Sequence, residues 1–309
     1  MKTDSKVVVT GVAGFIGSNL LDYLLEYTDW TITGYDNLST GRAKNIEHHL
    51  NHPRFHFVND TVANITSLKA YDCVFHLAAL PRIQPSFELV TEHIQENLLL
   101  SMHLIQVMIK ENSFPKFIFS SSSAIYGTPE LVPTPENEKV DCLSPYAFQK
   151  YETEKYLELL ATRYPLDYVC LRYFNPYGPR SFNPDNKFNA YSSVVGIFLY
   201  RWQNNQPLLV TGDGSQRRDF IHVSDLASAN YKAAIHPNRL NTAFNIGNGS
   251  TISVLEVAQL ISDKYEFIEK REGESEITFA DVTKAMEMLD WKPTHQLTDY
   301  INTIKKSAQ

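Results

Sequence analysis

The chain has 309 residues, 43% hydrophobic and 20% charged, and this composition excludes a disordered or fibrous protein. Its 28 basic and 35 acidic residues give a net charge of −7, which argues against a general binder of nucleic acid or anionic membranes. Three scattered cysteines, with no signal sequence and no apolar run long enough to span a membrane, predict a reduced, cytoplasmic protein without a metal site.

Short apolar runs alternate with helical patterns through the first half of the chain. Strands are predicted at 7–10, 31–35, 55–58, 73–77, 116–120 and 168–172, and helices at 19–27, 92–110 and 146–164. Such alternation is typical of a parallel sheet covered by helices on both faces. The predicted fold class is therefore α/β, a doubly wound, Rossmann-type sheet.

The pattern loosens after about residue 177, where prolines and asparagines are frequent. A helix at 191–202, several short strands, a helix near 254–264 and a last helix at 283–289 are predicted there. We expect a first domain over 1–177, to which 219–245 returns. A smaller α/β domain is expected to contain 178–218 and 246–309.

A glycine-rich turn joins the first strand to the first helix. Gly11 suits a tight turn, Gly14 lets the backbone approach a pyrophosphate, and Gly17 permits close packing of helix on strand. The N-terminus of the helix adds unpaired N–H groups and a partial positive charge. The turn therefore predicts a dinucleotide site, although the spacing is G-x-x-G-x-x-G.

Asp36 ends the second strand, 19 residues after Gly17. A carboxylate at this place accepts ribose hydroxyls and repels a 2′-phosphate, which favours NAD over NADP. Arg42 lies near enough in sequence to bind a 2′-phosphate, and Asp36 is also a good turn residue. We expect NAD as the cofactor.

Tyr146 and Lys150 lie four residues apart on a predicted helix and therefore share one face. An ammonium about 5 Å from a phenol, at an effective dielectric of about 20, favours the phenolate by roughly 3 kcal/mol, or about two pKa units. Tyr146 then becomes a general base near neutral pH. A run of serines, 120–123, ends a buried strand at the edge where ligands of such sheets bind.

Motifs along nearly the whole chain resemble those of extended short-chain dehydrogenases/reductases that act on nucleotide sugars. They are TGVAGFIG (10–17), YDNLSTGR (35–42), HLAA (76–79), SSSSAIYG (120–127), SPYAFQK (144–150), RYFNPYGPR (172–180), GDGSQRRDFIHVSDLA (212–227) and FADVTKA (279–285).

The resemblance implies a catalytic set of Ser122, Tyr146 and Lys150. It implies cofactor contacts by Gly11, Gly14, Phe15, Ile16, Gly17, Asp36, Asn37, Ser39, Thr40, Gly41, Asp60, Thr61, Leu77, Ala78, Ala79, Asn97, Tyr146, Lys150 and Tyr173. His76 ends a strand beside these residues, and we interpret it as a core histidine.

The residue at position 124, an alanine, distinguishes between the possible reactions. The 4,6-dehydratases and decarboxylating enzymes of the family carry a glutamate two residues before the motif tyrosine, where this chain has Ala124 before Tyr126. The segment resembles the 4-epimerases instead. These enzymes oxidise the sugar transiently at C4, let the ketone turn over in the pocket, and return the hydride to its other face without net redox change.

Substrate contacts are also implied by the resemblance. Arg218 and Arg271 match arginines that bind the diphosphate, and guanidinium groups suit phosphate oxygens. The other implied contacts are Ser86, Ser122, Ser123, Tyr146, Asn175, Ser193, Val194, Thr211 and Thr278.

Thr278 occupies the position that limits the size of the sugar in the family. A tyrosine there accompanies glucose and galactose, whereas a small residue admits N-acetyl sugars. Threonine, with the 279–285 run, resembles the UDP-N-acetylglucosamine 4-epimerases of bacterial polysaccharide pathways. We therefore expect an isomerase that interconverts UDP-N-acetylglucosamine and UDP-N-acetylgalactosamine.

Three other functions remain open. The first is a UDP-glucose or UDP-glucuronate 4-epimerase, in which Arg180 would meet the uronate carboxylate. The second is a net oxidoreductase acting on a nucleotide sugar, and the third is an NAD-binding sensor without catalysis. The resemblance also implies a homodimer, held by a four-helix bundle of the helices near 92–110 and 146–164.

Overall fold

The computed structural model describes residues 1–81, 83–185, 193–270 and 275–307. Seven strands form its central sheet: β1 (Lys6–Thr10), β2 (Thr31–Tyr35), β3 (Phe55–Val58), β4 (Cys73–His76), β5 (Lys116–Ser122), β6 (Tyr168–Tyr173) and β9 (Thr242–Ile246). They lie in the order β3-β2-β1-β4-β5-β6-β9, and every neighbouring pair is parallel. The predicted doubly wound α/β class is confirmed.

Ten α-helices are found in the described residues. They are α1 (Phe15–Tyr27), α2 (Ile83–Glu88), α3 (Val90–His93), α4 (Leu100–Glu111), α5 (Pro145–Ala161), α6 (Val194–Gln203), α7 (Val223–Ile235), α8 (Val254–Ile261), α9 (Thr283–Leu289) and α10 (Leu297–Ser307). Among those residues, no helix combines the length and the apolar character that crossing a bilayer requires.

Apolar residues bury both faces of the central sheet, because parallel strands joined by helices have no solvated face. Leu24 of α1 packs with Ile32 and Phe244 on one side. Leu104 of α4 and Phe117 pack on the other. Both faces of the sheet are therefore largely covered, and the edge strand β3 is the exception, with His56 exposed.

A third core lies beyond β6 and supports two small sheets. The parallel pair is β7 (Leu208–Thr211) with β11 (Tyr265–Ile268), and the antiparallel pair is β8 (Arg217–Arg218) with β10 (Ile252–Ser253). Helices α6, α8 and α10 supply its buried side chains. The two-domain division remains a prediction.

Two predicted helices differ from the structure. The continuous helix at 92–110 is interrupted by a π-helical segment, Ile94–Leu99, between α3 and α4. The helix at 283–289 is not the last, because α10 follows it. Polar residues outnumber apolar ones in α10, whose apolar stripe buries Leu297 and Ile301. The predicted start at 191 lies outside the described residues, and α6 begins at Val194.

Candidate active site

A cleft of about 720 Å³ lies at the carboxyl edge of the central sheet. The ends of β1, β2, β4 and β5 form one wall, and residues around α6, β7 and β8 form the other. Open parallel sheets bind their ligands at this edge. The cleft therefore occupies the place that the strand order predicts for a ligand.

The glycine turn is shaped by two close approaches. Gly11 has φ of +70°, and a Cβ there would lie 2.8 Å from the Ala78 nitrogen. A Cβ on Gly17 would lie 2.1 Å from the Gly11 oxygen. Gly14 precedes α1 without a side-chain cap. The turn thus leaves a backbone cradle of the size and polarity that a pyrophosphate requires.

Asp36 is held in place by the backbone on both carboxylate oxygens. Oδ1 accepts from the Leu38 nitrogen at 2.8 Å and Oδ2 from the Ala13 nitrogen at 2.9 Å. Burial raises the pKa of this carboxyl, against the opposing effect of these N–H groups. Each oxygen keeps a lone pair for a second donor, so the residue suits the hydroxyls of a ribose.

Arg42, the alternative 2′-phosphate ligand, is engaged elsewhere. Its guanidinium pairs with Asp185 at 2.9 Å. Arg42 also lines the cleft, so the preference against a 2′-phosphate rests on the carboxylate of Asp36. The residues of the glycine turn and Asp36 therefore fit NAD.

Tyr146 and Lys150 lie on the first two turns of α5. That helix begins where Ser144 caps the Ala147 nitrogen at 3.2 Å and Pro145 takes the first helical position. The Lys150 ammonium donates to the Ser120 oxygen at 2.8 Å and lies 5.9 Å from the centre of the Tyr146 ring. Burial lowers the pKa of Lys150 to about 7, against the opposing effect of Glu154.

A buried ion pair joins α5 to the sheet close to Tyr146 and Lys150 in sequence. Arg172 donates to Glu154 through Nε at 3.0 Å and through a terminal nitrogen at 2.6 Å. Ser121 donates to the same carboxylate at 2.5 Å. This bidentate pair fixes the helix against β5 and β6. The sequence analysis did not select these residues, whose signal is a carboxylate one turn after Lys150.

His76 is buried between strand and helix, as its interpretation as a core histidine predicts. Its Nδ1 lies 2.9 Å from the Thr10 hydroxyl and its Nε2 lies 2.9 Å from the Ser101 hydroxyl. Burial, with the charge of Lys150, lowers the pKa of His76 to about 3. The ring is therefore neutral at physiological pH.

Asn175 and Thr278 lie side by side on the opposite wall of the cleft. The Asn175 amide nitrogen donates to the Thr278 hydroxyl and to the Asp219 carbonyl, both at 2.8 Å. A backbone carbonyl only accepts, so the amide orientation is fixed by chemistry. Both amide N–H groups are thereby used, and Asn175 offers a ligand its oxygen, an acceptor.

Asp219 ties the segments around this wall together. Its carboxylate accepts from the backbone nitrogens of Asn248 at 2.6 Å, Gly249 at 3.1 Å and Ala280 at 3.1 Å. Burial raises the pKa of Asp219 to about 7. The neighbouring Arg218 lines the cleft, and its guanidinium donates to the Arg217 oxygen at 3.0 Å.

Most of the residues selected from the sequence lie on the cleft. On the cofactor side they are Gly11, Gly14, Phe15, Ile16, Gly17, Asp36, Asn37, Ser39, Thr40, Asp60, Thr61, Leu77, Ala78, Ala79, Tyr146, Lys150 and Tyr173. On the substrate side they are Ser122, Ser123, Asn175, Ser193, Val194, Thr211, Arg218 and Thr278.

Three selected residues lie behind the cleft wall. Ser86 accepts from the Tyr146 nitrogen at 3.2 Å, and Asn97 accepts from the Leu80 nitrogen at 2.7 Å. A Cβ on Gly41 would lie 2.9 Å from both Asp36 oxygens. These residues support neighbours that line the cleft. The fourth exception, Arg271, lies outside the described residues.

Several lining residues were not among the selected ones. Arg180, Ser181, Phe182 and Asn183 approach from the connection after β6, and Tyr200 and Arg201 come from α6. The YGPR segment signalled Arg180. The others had no signal in the sequence, and they line the cleft because of the way in which the chain after β6 crosses it.

The model of the NAD dependent epimerase/dehydratase family matches residues 7–247. The chain is similar to a putative UDP-glucose 4-epimerase of Methanocaldococcus jannaschii, with 35% identity over 96% of each chain.

Two solved structures are similar over almost the whole chain. One is the UDP-N-acetylglucosamine 4-epimerase of Methanobrevibacter ruminantium with UDP-N-acetylmuramic acid, with 33% identity, TM-score 0.88, and 99% and 98% of the two chains covered. The other is the UDP-glucuronic acid 4-epimerase of Bacillus cereus with UDP-glucuronic acid and NAD, with 28% identity, TM-score 0.88, and 98% and 99% covered.

Proposed function

Because the chain belongs to the NAD dependent epimerase/dehydratase family, we propose that it interconverts UDP-N-acetylglucosamine and UDP-N-acetylgalactosamine by inverting C4. The chain is an NAD-dependent nucleotide-sugar 4-epimerase and hence an isomerase. NAD supplies the hydride acceptor and donor when it is bound. The residues of the chain supply binding, orientation and proton transfer.

Tyr146 is assigned the role of general base toward the 4-hydroxyl of the sugar. Its phenolate accepts the hydroxyl proton, and Ser122 at the end of β5 shares a hydrogen bond with the same oxygen. Lys150 supplies the positive charge that stabilises the phenolate from one helical turn away. When the sugar is reduced again, Tyr146 returns the proton to the oxygen on C4.

The diphosphate is the anchor about which the sugar turns. We assign it to Arg218 and Arg271, since guanidinium groups bind phosphate oxygens through paired hydrogen bonds. Ser193, Val194 and Thr211, on the same side of the cleft, are assigned to the uridine. In this assignment, 1–177 with 219–245 bind NAD, and 178–218 with 246–309 bind the nucleotide sugar.

In this proposal, Thr278, a small and hydrogen-bonded residue, determines which sugar the cleft accepts. Its hydroxyl accepts from Asn175 at 2.8 Å and from the Asp219 nitrogen at 3.2 Å, which holds the side chain flat against the wall. A tyrosine at this position would project into the space that an acetamido group needs. The acceptor oxygen of Asn175 suits a hydroxyl or amide N–H of the sugar.

UDP-glucose is the second candidate substrate, because the Methanocaldococcus jannaschii relative carries that activity in its name. A UDP-glucuronate is less well supported. Its carboxylate would meet the acceptor oxygen of Asn175, and the guanidinium of Arg180 is already paired with Asp22.

The deciding experiment incubates purified protein separately with the three UDP-sugars and no added cofactor. Anomeric signals are followed by NMR. Conversion of UDP-N-acetylglucosamine without accumulation of NADH supports the proposal. Conversion of UDP-glucose or UDP-glucuronate alone contradicts the assignment of Thr278. Absence of any conversion, even after NAD is added, contradicts the proposed reaction.

A matched pair of variants isolates Thr278. Thr278→Tyr should abolish turnover of the N-acetyl sugar and retain turnover of UDP-glucose. Thr278→Ser keeps the hydroxyl that accepts from Asn175 and should retain both. Equal losses on both sugars in Thr278→Tyr would mean that the position supports the wall and does not select the sugar.

We also propose a homodimer formed by α5 and the helical stretch from α2 to α4. Large apolar side chains are exposed on these helices: Phe87, Val90, Ile94, Leu99, Phe148, Tyr156 and Leu159. Clustered exposed apolar residues are typical of protein interfaces. A second copy of the chain, packed helix against helix, would cover them.

A further inference from the structure

The segment from Pro179 to Asp185, here called the strap, crosses from the end of β6 to the loop that follows β2. Its side chains at 180–183 line the same cleft as the glycine turn and Asp36. At its other side, the Phe182 ring stacks 4.4 Å from Tyr200 of α6. The strap therefore links the wall assigned to the substrate with the wall assigned to the cofactor.

Five polar contacts fasten the strap to the cofactor wall. Asn19 of α1 donates to the Pro179 oxygen at 3.1 Å, and Asn183 donates to the Thr40 oxygen at 3.4 Å. Arg180 donates to the Asn45 oxygen at 3.1 Å and also pairs with Asp22. The fifth contact is the Arg42–Asp185 pair at 2.9 Å.

We propose that the strap retains NAD by holding the 39–45 loop closed beside the ribose that Asp36 binds, with Arg180 as its principal positioning residue. The inference rests on the proposed placement of the dinucleotide along the glycine turn and Asp36. An enzyme that returns the hydride it removed has no need to exchange its cofactor between turnovers. Slow release is therefore an advantage for this reaction.

Arg180 is the firmest of the strap contacts. Its backbone has φ of +68°, which a non-glycine residue adopts only when its surroundings enforce it. Its side chain is 20% exposed and that of Asp22 is 35% exposed, whereas Asp185 is 72% exposed. An exposed pair in water adds little, so the strap depends on Arg180 far more than on Asp185.

Asp22 is held in place by contacts other than the one with Arg180. Its other carboxylate oxygen lies 2.8 Å from His49 Nε2 and 3.1 Å from His48 Nε2. The carboxylate is thus oriented from α1 and from the short helix after the loop. Neither Asp22 nor these histidines lines the cleft, so altering Asp22 tests the strap without changing a residue that faces the cofactor.

The test measures the release of NADH from loaded protein. Fluorescence of bound NADH is followed after a large excess of NAD is added. Arg180→Gly suits the positive φ, removes the side chain and also loosens the backbone, and it should speed release about tenfold. Asp22→Asn should speed release comparably. Arg180→Lys keeps the charge but not the fork of donors, and its rate should lie between Arg180→Gly and the unaltered protein.

Three further variants separate the possible outcomes. Asp185→Asn should change release less than twofold, and Lys232→Ala, which removes a remote 2.7 Å ion pair with Asp290, should not change it. Asp36→Asn tests the placement of the cofactor and should speed release on its own. Thermal unfolding of each variant confirms that it is folded, and Asp22→Asn tests the same pair if Arg180→Gly does not fold.

Unaltered release from folded Arg180→Gly or Asp22→Asn, with faster release from Asp36→Asn, would overturn the strap proposal and leave the cofactor placement standing. Unaltered release from Asp36→Asn as well would overturn the placement itself. Equal acceleration by Lys232→Ala would show a general loss of rigidity and would also overturn the role of Arg180.

Discussion

In the proposed mechanism, Tyr146 and Lys150 divide the proton chemistry between two side chains one helical turn apart. Tyr146→Phe removes the proton acceptor while keeping the ring. We expect turnover of the nucleotide sugar to fall at least about a hundredfold, the lower range for loss of a general base. Single-turnover reduction of bound NAD, read at 340 nm, measures this step. Tyr151→Phe, on the same helix, should retain activity, and comparable loss in both variants would contradict the role of Tyr146.

Lys150→Met tests the charge that stabilises the phenolate. The Lys150 nitrogen lies 5.9 Å from the centre of the Tyr146 ring, and at an effective dielectric of about 20 a full charge there would be worth about 3 kcal/mol, or two pKa units. Because burial lowers the pKa of Lys150 to about 7, that charge is only partly present near neutral pH. The pH at which turnover reaches half its maximum should therefore rise, by no more than about two units. Lys155→Met, five residues later and exposed, should leave the profile in place. An unshifted profile in Lys150→Met would exclude the lysine as the source of tuning.

At the scale of single residues, the sequence predicted which residues lie on the cleft better than it predicted which residues contact one another. Asp36, Tyr146 and Lys150 reach the cleft because they follow strands or begin a helix whose ends meet at one sheet edge. Ser86 and Asn97 instead support backbone segments behind the wall, since each accepts a hydrogen bond from a backbone nitrogen distant in sequence, that of Tyr146 or that of Leu80. The pairing of Arg180 with Asp22 spans 158 positions, and no local pattern encodes it.

At the scale of elements, His76 joins β4 to β1 and to α4, and this makes the sheet sensitive to acid. Its pKa of about 3 in the native chain lies below the value of 6.5 for an unperturbed histidine. The unfolded chain therefore binds the additional proton between these values. The stability from neutral His76 is complete above pH 6.5 and falls by about 1.4 kcal/mol per unit as the pH drops toward 3.

Urea unfolding between pH 7.5 and 4.5 measures this effect. The slope of unfolding free energy against pH should be about 1.4 kcal/mol per unit steeper in the unaltered chain than in His76→Asn. His56→Asn, at an exposed position of β3, should retain the full slope. Equal slopes in all three proteins would mean that other groups account for the acid sensitivity.

The entry into α1 depends on the absence of a side chain at Gly17. A Cβ there would lie 2.1 Å from the Gly11 oxygen, within the turn that is assigned to the pyrophosphate. Gly17→Ala should lower stability by roughly 1–3 kcal/mol, as overpacking does, and should weaken NAD binding. Calorimetric unfolding and titration with NAD measure the two effects. Ser18→Ala, one residue later in the same helix, should leave NAD affinity close to normal.

Strands were predicted more accurately than helices because their apolar runs are short and bounded. The predicted 31–35 and 55–58 agree with β2 and β3 to the residue. The π-helical segment Ile94–Leu99 has no such signal, because its residues form an ordinary helical pattern. Helix α10 carries the i, i+3, i+4, i+7 spacing of an amphipathic helix, and the prediction overlooked it among many polar residues.

At the scale of the whole molecule, the exposed apolar side chains of α5 predict self-association. Leu159 is 64% exposed. Leu159→Glu would place a charge in the proposed helical bundle, so the protein should sediment as a dimer unaltered and as a monomer in the variant. Phe267→Glu removes a comparably exposed side chain from β11 and should leave the dimer intact. A monomer in the unaltered protein would exclude the bundle.

The strand order has a consequence for recombination between related genes. Strand β9 lies beside β6 in the central sheet, although β7, β8 and α7 come between them in the chain. A gene fragment that stops after β6 would encode a sheet with one of its most buried strands, Tyr168–Tyr173, at an open edge. A single crossover after β6 would exchange β9 and α7 together with the substrate wall. To transfer sugar preference between relatives, the segments before and after Val223–Ile246 should therefore be exchanged separately. Val223–Ile246 itself should come from the same parent as the first six strands.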